Sequence, residues 1–329
     1  MSGRLLLPLA LLTLFALAFA FDAASRERTG HARIYVVSLD GSGRRSLTTN
    51  KVENDRPALS RDGRALTFER DWVGLGVISS TGRNERELLR APHQPQRPTW
   101  SRDGAYIAFT SCVYEECSVG VVRRDGTGLT WIPEASYPTW TAGRRLAYLT
   151  DLAPGFREGP QSIAIANADG SGQTIIARTS QVSGYKFLPP VASPSGTTVA
   201  FVAYDGGFPL YTLDLTAGSS PELLAPNASD PTWAPNGRRL VFSNGRGLWT
   251  VRSDGSQPRR LVRGATSPHR PSWSPDGTRI AFVTRPRTKV NLVVMNLRTR
   301  TTHVLARNIV PRLPLWSRDA RSLYYVAWR

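Results

Sequence analysis

The sequence predicts an all-β fold, a β-propeller made of four-stranded antiparallel blades. A proline-containing strand–turn–strand motif recurs seven times at a spacing of about 40 residues, and a second strand–turn–strand motif stands between the copies. Long runs of apolar residues at helical spacing are missing after residue 25. The 28 glycines and 24 prolines are typical of a chain with many tight turns.

The first motif is most complete at residues 270–282, where it reads Arg-Pro-Ser-Trp-Ser-Pro-Asp-Gly-Thr-Arg-Ile-Ala-Phe. Its proline fixes φ where the chain enters the sheet, and Ser-Pro-Asp-Gly has the composition of a type I turn. Five copies carry Trp two positions after that proline. Packing such a ring between blades contributes roughly 4–6 kcal/mol before entropy is counted. The motif prolines are Pro57, Pro98, Pro138, Pro190, Pro231, Pro271 and Pro314.

The second motif joins a strand to a short fourth strand, often through an Asp-Gly turn such as the one at Asp40, where glycine accepts positive φ. The chain begins with this second half and ends with a first half, so we expect N-terminal strands to pair with C-terminal strands and close the ring. Seven blades are predicted. Six is the alternative, because region 137–190 has a longer spacing and a shortened turn. Ala320, standing where the turn glycine belongs, predicts a changed turn.

The N-terminus has the pattern of an export signal. Arg4 precedes an apolar stretch over Leu5–Phe19, and Ala18-Phe19-Ala20 is a small-x-small cleavage site. We divide the chain into a signal peptide (1–20), a short segment (21–30) and a propeller domain (31–329). We expect an exported protein, periplasmic or extracellular, that is not an integral membrane protein after cleavage. The apolar run is short for a membrane span, which favours cleavage, and an uncleaved N-terminal anchor is left open as the alternative.

The formal net charge is +17, and all but three of the 42 basic residues are arginine. These arginines are scattered through every repeat rather than gathered in one segment, which favours a solvated surface over a nucleic-acid site. We therefore expect no nucleic-acid partner, and an anionic cell-wall polymer is the alternative reading of the charge. We expect the protein to be a monomer.

The only cysteines are Cys112 and Cys117, at the two ends of a predicted hairpin loop. Export places them in an oxidising compartment, and we expect a structural disulfide. The four histidines are not spaced to complete a metal site with them, and the acidic turns offer too few oxygens for calcium. We therefore expect no metal, no cofactor and no catalytic residue.

The repeated Pro-x-Trp-Ser-Pro-Asp-Gly-x-x-Ile-Ala-Phe motif, followed by a strand and Asp-Gly-Ser, resembles the repeat of the TolB-like β-propeller family, whose repeats are WD-repeat-like. The resemblance covers residues 31–329 and implies a periplasmic or extracellular protein that binds protein partners. TolB proteins carry an α/β domain before the propeller. We expect this chain to lack that domain, because its repeats start within about a dozen residues of the predicted cleavage site.

These features predict a protein-binding scaffold of the cell envelope or periplasm, with an envelope or secreted protein as partner. A propeller enzyme of lactonase, lyase or glycosidase type and a wall-associated structural protein held by its charge are the alternatives. We do not expect an enzyme, since the sequence has no Gly-x-Ser-x-Gly nucleophile turn. The loops between second and third strands vary most and are the predicted binding surface. Their candidate residues are Arg70, Asp71, Trp72, Tyr114, Glu115, Phe156, Arg157, Tyr204, Asp205, Arg285 and Arg287.

Overall fold

A computed structural model describes residues 30–49, 51–90, 94–113, 116–150, 161–182, 186–216, 219–263, 267–286 and 289–328. Within these ranges the chain forms seven antiparallel sheets, with helix limited to two 3₁₀ turns at Ala142–Arg144 and Thr179–Gln181. The predicted all-β fold is therefore confirmed. The predicted signal peptide at 1–20 and nearly all of segment 21–30 lie outside the described residues.

Five of the blades contain four strands that follow one another along the chain. Blade 1 is β3 (Asn54–Leu59), β4 (Ala65–Arg70), β5 (Gly74–Ser79) and β6 (Arg86–Leu89). Blade 2 is β7 (Pro95–Trp100), β8 (Tyr106–Val113), β9 (Glu116–Arg123) and β10 (Thr130–Pro133). Blade 3 is β11 (Ser136–Trp140), β12 (Arg145–Thr150), β13 (Ser162–Asn167) and β14 (Thr174–Arg178). Blade 5 is β20 (Ser229–Trp233), β21 (Arg239–Ser243), β22 (Gly247–Arg252) and β23 (Arg259–Arg263). Blade 6 is β24 (His269–Trp273), β25 (Arg279–Thr284), β26 (Asn291–Asn296) and β27 (Thr302–Arg307).

Blade 4 has an interrupted first strand. Its regular part is β17 (Thr198–Tyr204), β18 (Leu210–Asp214) and β19 (Glu222–Ala225), and two short strands, β15 (Lys186–Phe187) and β16 (Val191–Ala192), both pair with β17. The Pro189-Pro190 pair lies between these two pieces. Proline cannot donate to the ladder, so two in succession break the strand without ending the blade.

Blade 7 is composite and closes the ring. Its strand order is β2 (Arg45–Ser46), β1 (Ala32–Ser38), β29 (Ser322–Trp328) and β28 (Leu315–Trp316). The central pairing runs along the full length of β1, from Ala32 opposite Trp328 to Ser38 opposite Ser322. The predicted pairing of the chain ends is confirmed. Region 137–190 contributes a complete blade 3, so the count is seven and not six.

The first strand of each blade lies on the inside of the ring. First strands of consecutive blades contact one another all the way round, from β3 through β7, β11, β16, β20 and β24 to β28 and back to β3. The last strands carry mostly exposed side chains, as in β23 and β27. The core between blades is built on one buried aromatic ring in each second strand, or in β29 for blade 7. These rings are Phe68, Phe109, Tyr148, Phe201, Phe242, Phe282 and Tyr325.

Four motif tryptophans do more than fill space. The indole N–H of Trp140 donates to the carbonyl of Thr99 in the preceding blade at 3.1 Å, and Trp100, Trp233 and Trp316 make the same bond to Ala58, Val191 and Ser272. Trp273 is the exception, since its buried indole nitrogen has no partner among the described residues. The repeated tryptophan therefore links four blade pairs by a hydrogen bond as well as by packing.

The contrast between these tryptophans gives a matched test. Trp140→Phe keeps an aromatic ring but leaves the Thr99 carbonyl unpaired, whereas Trp273→Phe removes no hydrogen bond. We expect Trp140→Phe to lower the free energy of unfolding by about 1–2 kcal/mol more than Trp273→Phe does. Urea unfolding of both variants measures the difference. Equal losses would mean that the indole hydrogen bond adds nothing to blade contact.

The changed turn that the sequence predicted at Ala320 is not observed. The turn around it keeps the geometry of the glycine-containing copies, with the Ala320 N–H donating to the Ser317 carbonyl and the Ser317 hydroxyl donating to Asp319. Ala320 simply takes φ of 56°, where Gly277 in the complete motif has 69°. The Ser–Asp bond and the following strand hold the turn, so an alanine is forced into the left-handed region instead of changing the turn.

Candidate binding face at the channel mouth

The inner strands begin at one end of the propeller, and the loops between second and third strands lie at the same end. In blade 1, Asp55 at the start of β3 lies opposite Glu69 near the end of β4. The N–H of Asp71 in the following turn donates to the Glu53 carbonyl at 2.8 Å. In blade 1 the predicted binding loop and the inner end of the channel are therefore on the same face. We call the inner residues of this face the channel mouth. They are Asp55, Arg56, Glu69, Arg97, Tyr137, Asp230, Arg270 and Arg312.

A backbone bulge recurs at the channel mouth. The residue before the motif proline has φ between 42° and 54° in blades 1, 2, 3, 5 and 6, and the pairing register shifts there. The bulge takes the N–H of this residue out of the sheet. In blade 2 the Arg97 N–H donates to Glu69 of blade 1 at 2.6 Å, and in blade 3 the Tyr137 N–H donates to Thr110 of blade 2 at 2.8 Å. In blades 2 and 3 a side chain of the previous blade thus stabilises the bulge.

Two carboxylates of the channel mouth are held in ion pairs. Asp55 is 5% exposed and accepts hydrogen bonds from Arg312, including one from a terminal guanidinium nitrogen at 2.6 Å. Glu69 is 2% exposed and accepts from the Arg56 guanidinium at 2.7 Å. The first pair joins blade 7 to blade 1 and the second lies within blade 1. Both carboxylates are therefore engaged in ion pairs that stabilise the fold.

The pKa values of these carboxylates move in opposite directions. Burial alone would raise the pKa of Asp55, but the Arg312 charge and hydrogen bonds, helped by Arg56, hold it below the ordinary value. Burial raises the pKa of Glu69 above the ordinary value despite the opposing charge of Arg56. Asp55 adds to this rise, because two negative charges close together disfavour each other.

Arg97 and Arg270 differ from the other two arginines. Among the described residues, neither guanidinium has a carboxylate within ion-pair distance or an acceptor for a side-chain hydrogen bond. Arg97 is exposed and its guanidinium lies 4.9 Å from the centre of the Tyr137 ring. Arg270 is half-buried, and its backbone N–H donates to Asp230 at 3.3 Å. These two side chains present unpaired positive charge at the channel mouth.

The positive charges at the channel mouth act on one another. Burial lowers the pKa of Arg270, the Asp230 carboxylate opposes this effect, and three neighbouring positive charges add to it. The three are those of Arg312, Arg97 and Arg56. The four arginines belong to consecutive blades in the order 6, 7, 1 and 2, so they form a cationic arc around more than half of the channel mouth. We call this set, Arg270, Arg312, Arg56 and Arg97, the arginine arc.

The described loop residues of the predicted binding surface differ in exposure and in chemistry. Trp72 is 36% exposed and hydrogen-bonds Glu53, while Arg70 lies within 4.0 Å of Glu85 and Glu87. Asp71 is exposed. Tyr204 is half-buried with its ring 5.1 Å from that of Phe208, and Asp205 accepts from the Gly207 N–H at 2.8 Å. Arg285 is half-buried. Tyr114, Glu115, Phe156, Arg157 and Arg287 lie outside the described residues.

The arginine arc was missed at the sequence level. Three of its members, Arg56, Arg97 and Arg270, stand immediately before a motif proline, so a signal was present in the repeated Arg-Pro pair. The fourth, Arg312, stands two residues before Pro314. Arginine is common throughout the chain. Only the position of the first strands, on the inside of the ring, distinguishes these four arginines from those on the surface.

The predicted disulfide is present. Cys112 and Cys117 are bonded and lie directly opposite each other at the ends of β8 and β9. The bond joins the strands that lead into one loop of the binding face. In the described part of the chain no three His, Cys, Asp or Glu side chains are grouped so as to hold a metal ion. The same residues include no helix with the length and apolar character that a membrane crossing requires.

Fold and site together define a seven-bladed propeller whose channel mouth carries paired and unpaired arginines. The family model described as the TolB beta propeller domain (PD40) matches residues 137–329. The chain therefore belongs to the TolB β-propeller family, and the resemblance seen in its repeats is confirmed.

The protein is similar to the TolB homolog of Chlorobium luteolum, with 30% identity over 151 residues that make up 44% of this chain and 34% of the relative. It thus spans about a third of the length of that relative. Among solved structures it is similar to a putative TolB from Agrobacterium tumefaciens, at TM-score 0.60 and 18% identity, covering 92% of this chain and 99% of the other. It is also similar to an oligogalacturonate lyase in complex with manganese, at TM-score 0.64 and 16% identity, covering 79% and 81%. At these identities the structural likeness shows the fold.

Proposed function

We propose that the protein is an exported scaffold of the cell envelope that holds a protein partner on the face of the channel mouth. Membership of the TolB β-propeller family and the export signal in the sequence support this role. The observation that carries it is the placement of the exposed Trp72 and Arg97 and the half-buried Arg270 at one end of the ring. Arginine and tryptophan are the residues most enriched among those that dominate protein–protein binding.

The proposal is a binding role without catalysis. An acid–base site needs carboxylates that can gain and lose a proton beside a substrate. At the channel mouth Asp55 and Glu69 are occupied by Arg312 and Arg56. The sequence also lacks the nucleophile turn of the hydrolases that use related propellers. These features favour the scaffold over the enzyme alternative.

The test is a crosslinking pull-down from the native envelope, using the mature chain with a C-terminal tag. We expect specific recovery of one envelope protein. Recovery of wall polymer alone, or of a protein captured equally by an unrelated basic propeller, would contradict the scaffold. Assay of the purified chain against lactones and glycans tests the enzyme alternative directly, and turnover there would replace the scaffold by catalysis.

Trp72→Ala tests which face is used. Because Trp72 is exposed and lies outside the core clusters, we expect the variant to reduce partner recovery at least several-fold while leaving the melting temperature within about 2 °C. The matched control is Arg238→Ala, in the exposed turn between β20 and β21 at the opposite end of the ring. Loss of capture with the control but not with Trp72→Ala would place the partner on the other face.

A further inference from the structure

We propose that the arginine arc binds an acidic segment of the protein partner, with Arg97 and Arg270 as the two side chains that receive its carboxylates. This inference rests on the proposed scaffold function and names the chemistry that its binding face recognises. It depends on three features of the channel mouth: two unpaired guanidinium groups, their fixed positions, and the ion pairs that lie between them.

The first feature is unpaired charge. Arg312 and Arg56 are satisfied by Asp55 and Glu69, whereas Arg97 and Arg270 have no such partner among the described residues. Guanidinium groups bind carboxylates through two parallel hydrogen bonds, which makes an unpaired arginine in a partly enclosed site selective for that group. Two further carboxylates among the described residues, those of Asp230 and Glu53, lie near Arg270 and Asp55 respectively. Asp230 already accepts the Arg270 N–H, and Glu53 lies beside Asp55 and Trp72 in blade 1.

The second feature is preorganisation. The Arg97 guanidinium lies over the Tyr137 ring of blade 3, and the Arg97 backbone is fixed by Glu69 of blade 1. The Arg270 backbone is fixed in the same way by Asp230 of blade 5. Each unpaired arginine therefore starts from a bulge held by its neighbouring blade. A ligand that binds such side chains loses less free energy in ordering them.

The third feature is spacing. Arg97 belongs to blade 2 and Arg270 to blade 6, and the neutralised pairs of blades 1 and 7 stand between them. An extended segment with several acidic side chains can present a carboxylate to each of the two arginines. Burial lowers the pKa of Arg270, and the positive charges of the other three arginines add to this effect, so added negative charge is favourable beside Arg270. A run of Asp or Glu in the partner fits this arrangement.

The experiment measures binding of a fluorescein-labelled hexaglutamate peptide, with both ends blocked, by fluorescence anisotropy at low salt. We expect Arg97→Gln/Arg270→Gln to weaken binding about tenfold or more. The control Arg61→Gln/Arg238→Gln removes the same charge from exposed turns at the opposite end and should change affinity less than about twofold. Arg97→Lys/Arg270→Lys keeps the charge but loses the planar fork, and should fall between the two. Circular dichroism and melting confirm that each variant folds.

Three other results would contradict the inference. Equal weakening in both glutamine pairs would mean general attraction to a basic protein. Absence of hexaglutamate binding would remove the site. Tighter binding of an oligogalacturonate with six carboxylates, lost in the same variants, would assign the arc to a polysaccharide. The scaffold is judged separately: if Arg97→Gln/Arg270→Gln still recovers the envelope partner fully, the scaffold stands and the arc is not its contact.

Discussion

Asp55→Asn is expected to lower the free energy of unfolding by about 3–5 kcal/mol, because it removes the negative charge that Asp55 places against the buried Arg312 guanidinium. The Arg312 side chain is 13% exposed and that of Asp55 is 7% exposed, so water can replace little of the lost contact. The pair joins residues 257 positions apart and connects the composite blade 7 to blade 1. No covalent bond closes this ring, so the variant weakens the place where the chain ends meet.

Urea unfolding gives the measurement, with Arg144→Gln as the control. Arg144 and Asp103 form an ion pair of 2.7 Å between blades 3 and 2, but their side chains are 64% and 35% exposed. Exposed pairs of this kind contribute about 0–1 kcal/mol. Two ion pairs of nearly equal length should therefore differ several-fold in effect. Similar losses in the two variants would show that burial does not set the strength of the closing pair.

The closing pair also predicts a dependence on acid. The pKa of Asp55 is lower in the folded state than in the unfolded chain, where it is about 3.9. Stability from this pair is therefore fully present above that unfolded value and is lost as the pH falls through the folded pKa. We expect the Asn variant to lose less stability than the parent below about pH 4. Glu69 acts in the opposite sense, because burial raises its folded pKa, and the Asn variant also removes the contribution of Asp55 to that rise.

The architecture could be predicted because it consists of repeats whose strand and turn signals are local in the sequence. Pro57 and its equivalents mark the first strands, and the two half-motifs at the chain ends predict the composite blade. The disulfide followed from two cysteines at the ends of one hairpin. Even the atypical third blade keeps strand and turn signals in order. In each case the deciding residues are near one another in sequence.

The channel mouth could not be predicted because its contacts cross blades. Asp55 and Arg312 pair only after the ring has closed. No sequence pattern around either residue indicates that the other is its partner. The left-handed bulge at Arg97 depends on an acceptor, Glu69, from the preceding blade. The turn at Ala320 was predicted wrongly for a related reason, since its neighbours impose a conformation that alanine alone disfavours.

Gly120→Ala is the other substitution with a large expected effect, and simple strand propensity predicts its sign wrongly. Glycine inside a strand normally weakens it, and alanine at a compatible position stabilises a protein by about 0.4–1 kcal/mol. A Cβ at Gly120, however, would lie 2.2 Å from the tip of the Phe109 ring. Phe109 is fully buried and its ring meets that of Trp131 at 5.7 Å, so it has little room to move. We expect a loss of about 2–3 kcal/mol on urea unfolding.

The chain contains its own control for this clash. Blade 3 has Ala164 opposite Tyr148, and there the fourth strand presents Ile175 at the position that Trp131 occupies in blade 2. An alanine opposite an aromatic ring is thus tolerated when the outer neighbour is smaller. Gly120→Ala/Trp131→Ile should therefore lose clearly less stability than the sum of its two single variants. Additive losses would mean that the clash is set by the Phe109 backbone, whereas recovery would show that Trp131 confines the Phe109 ring against Gly120.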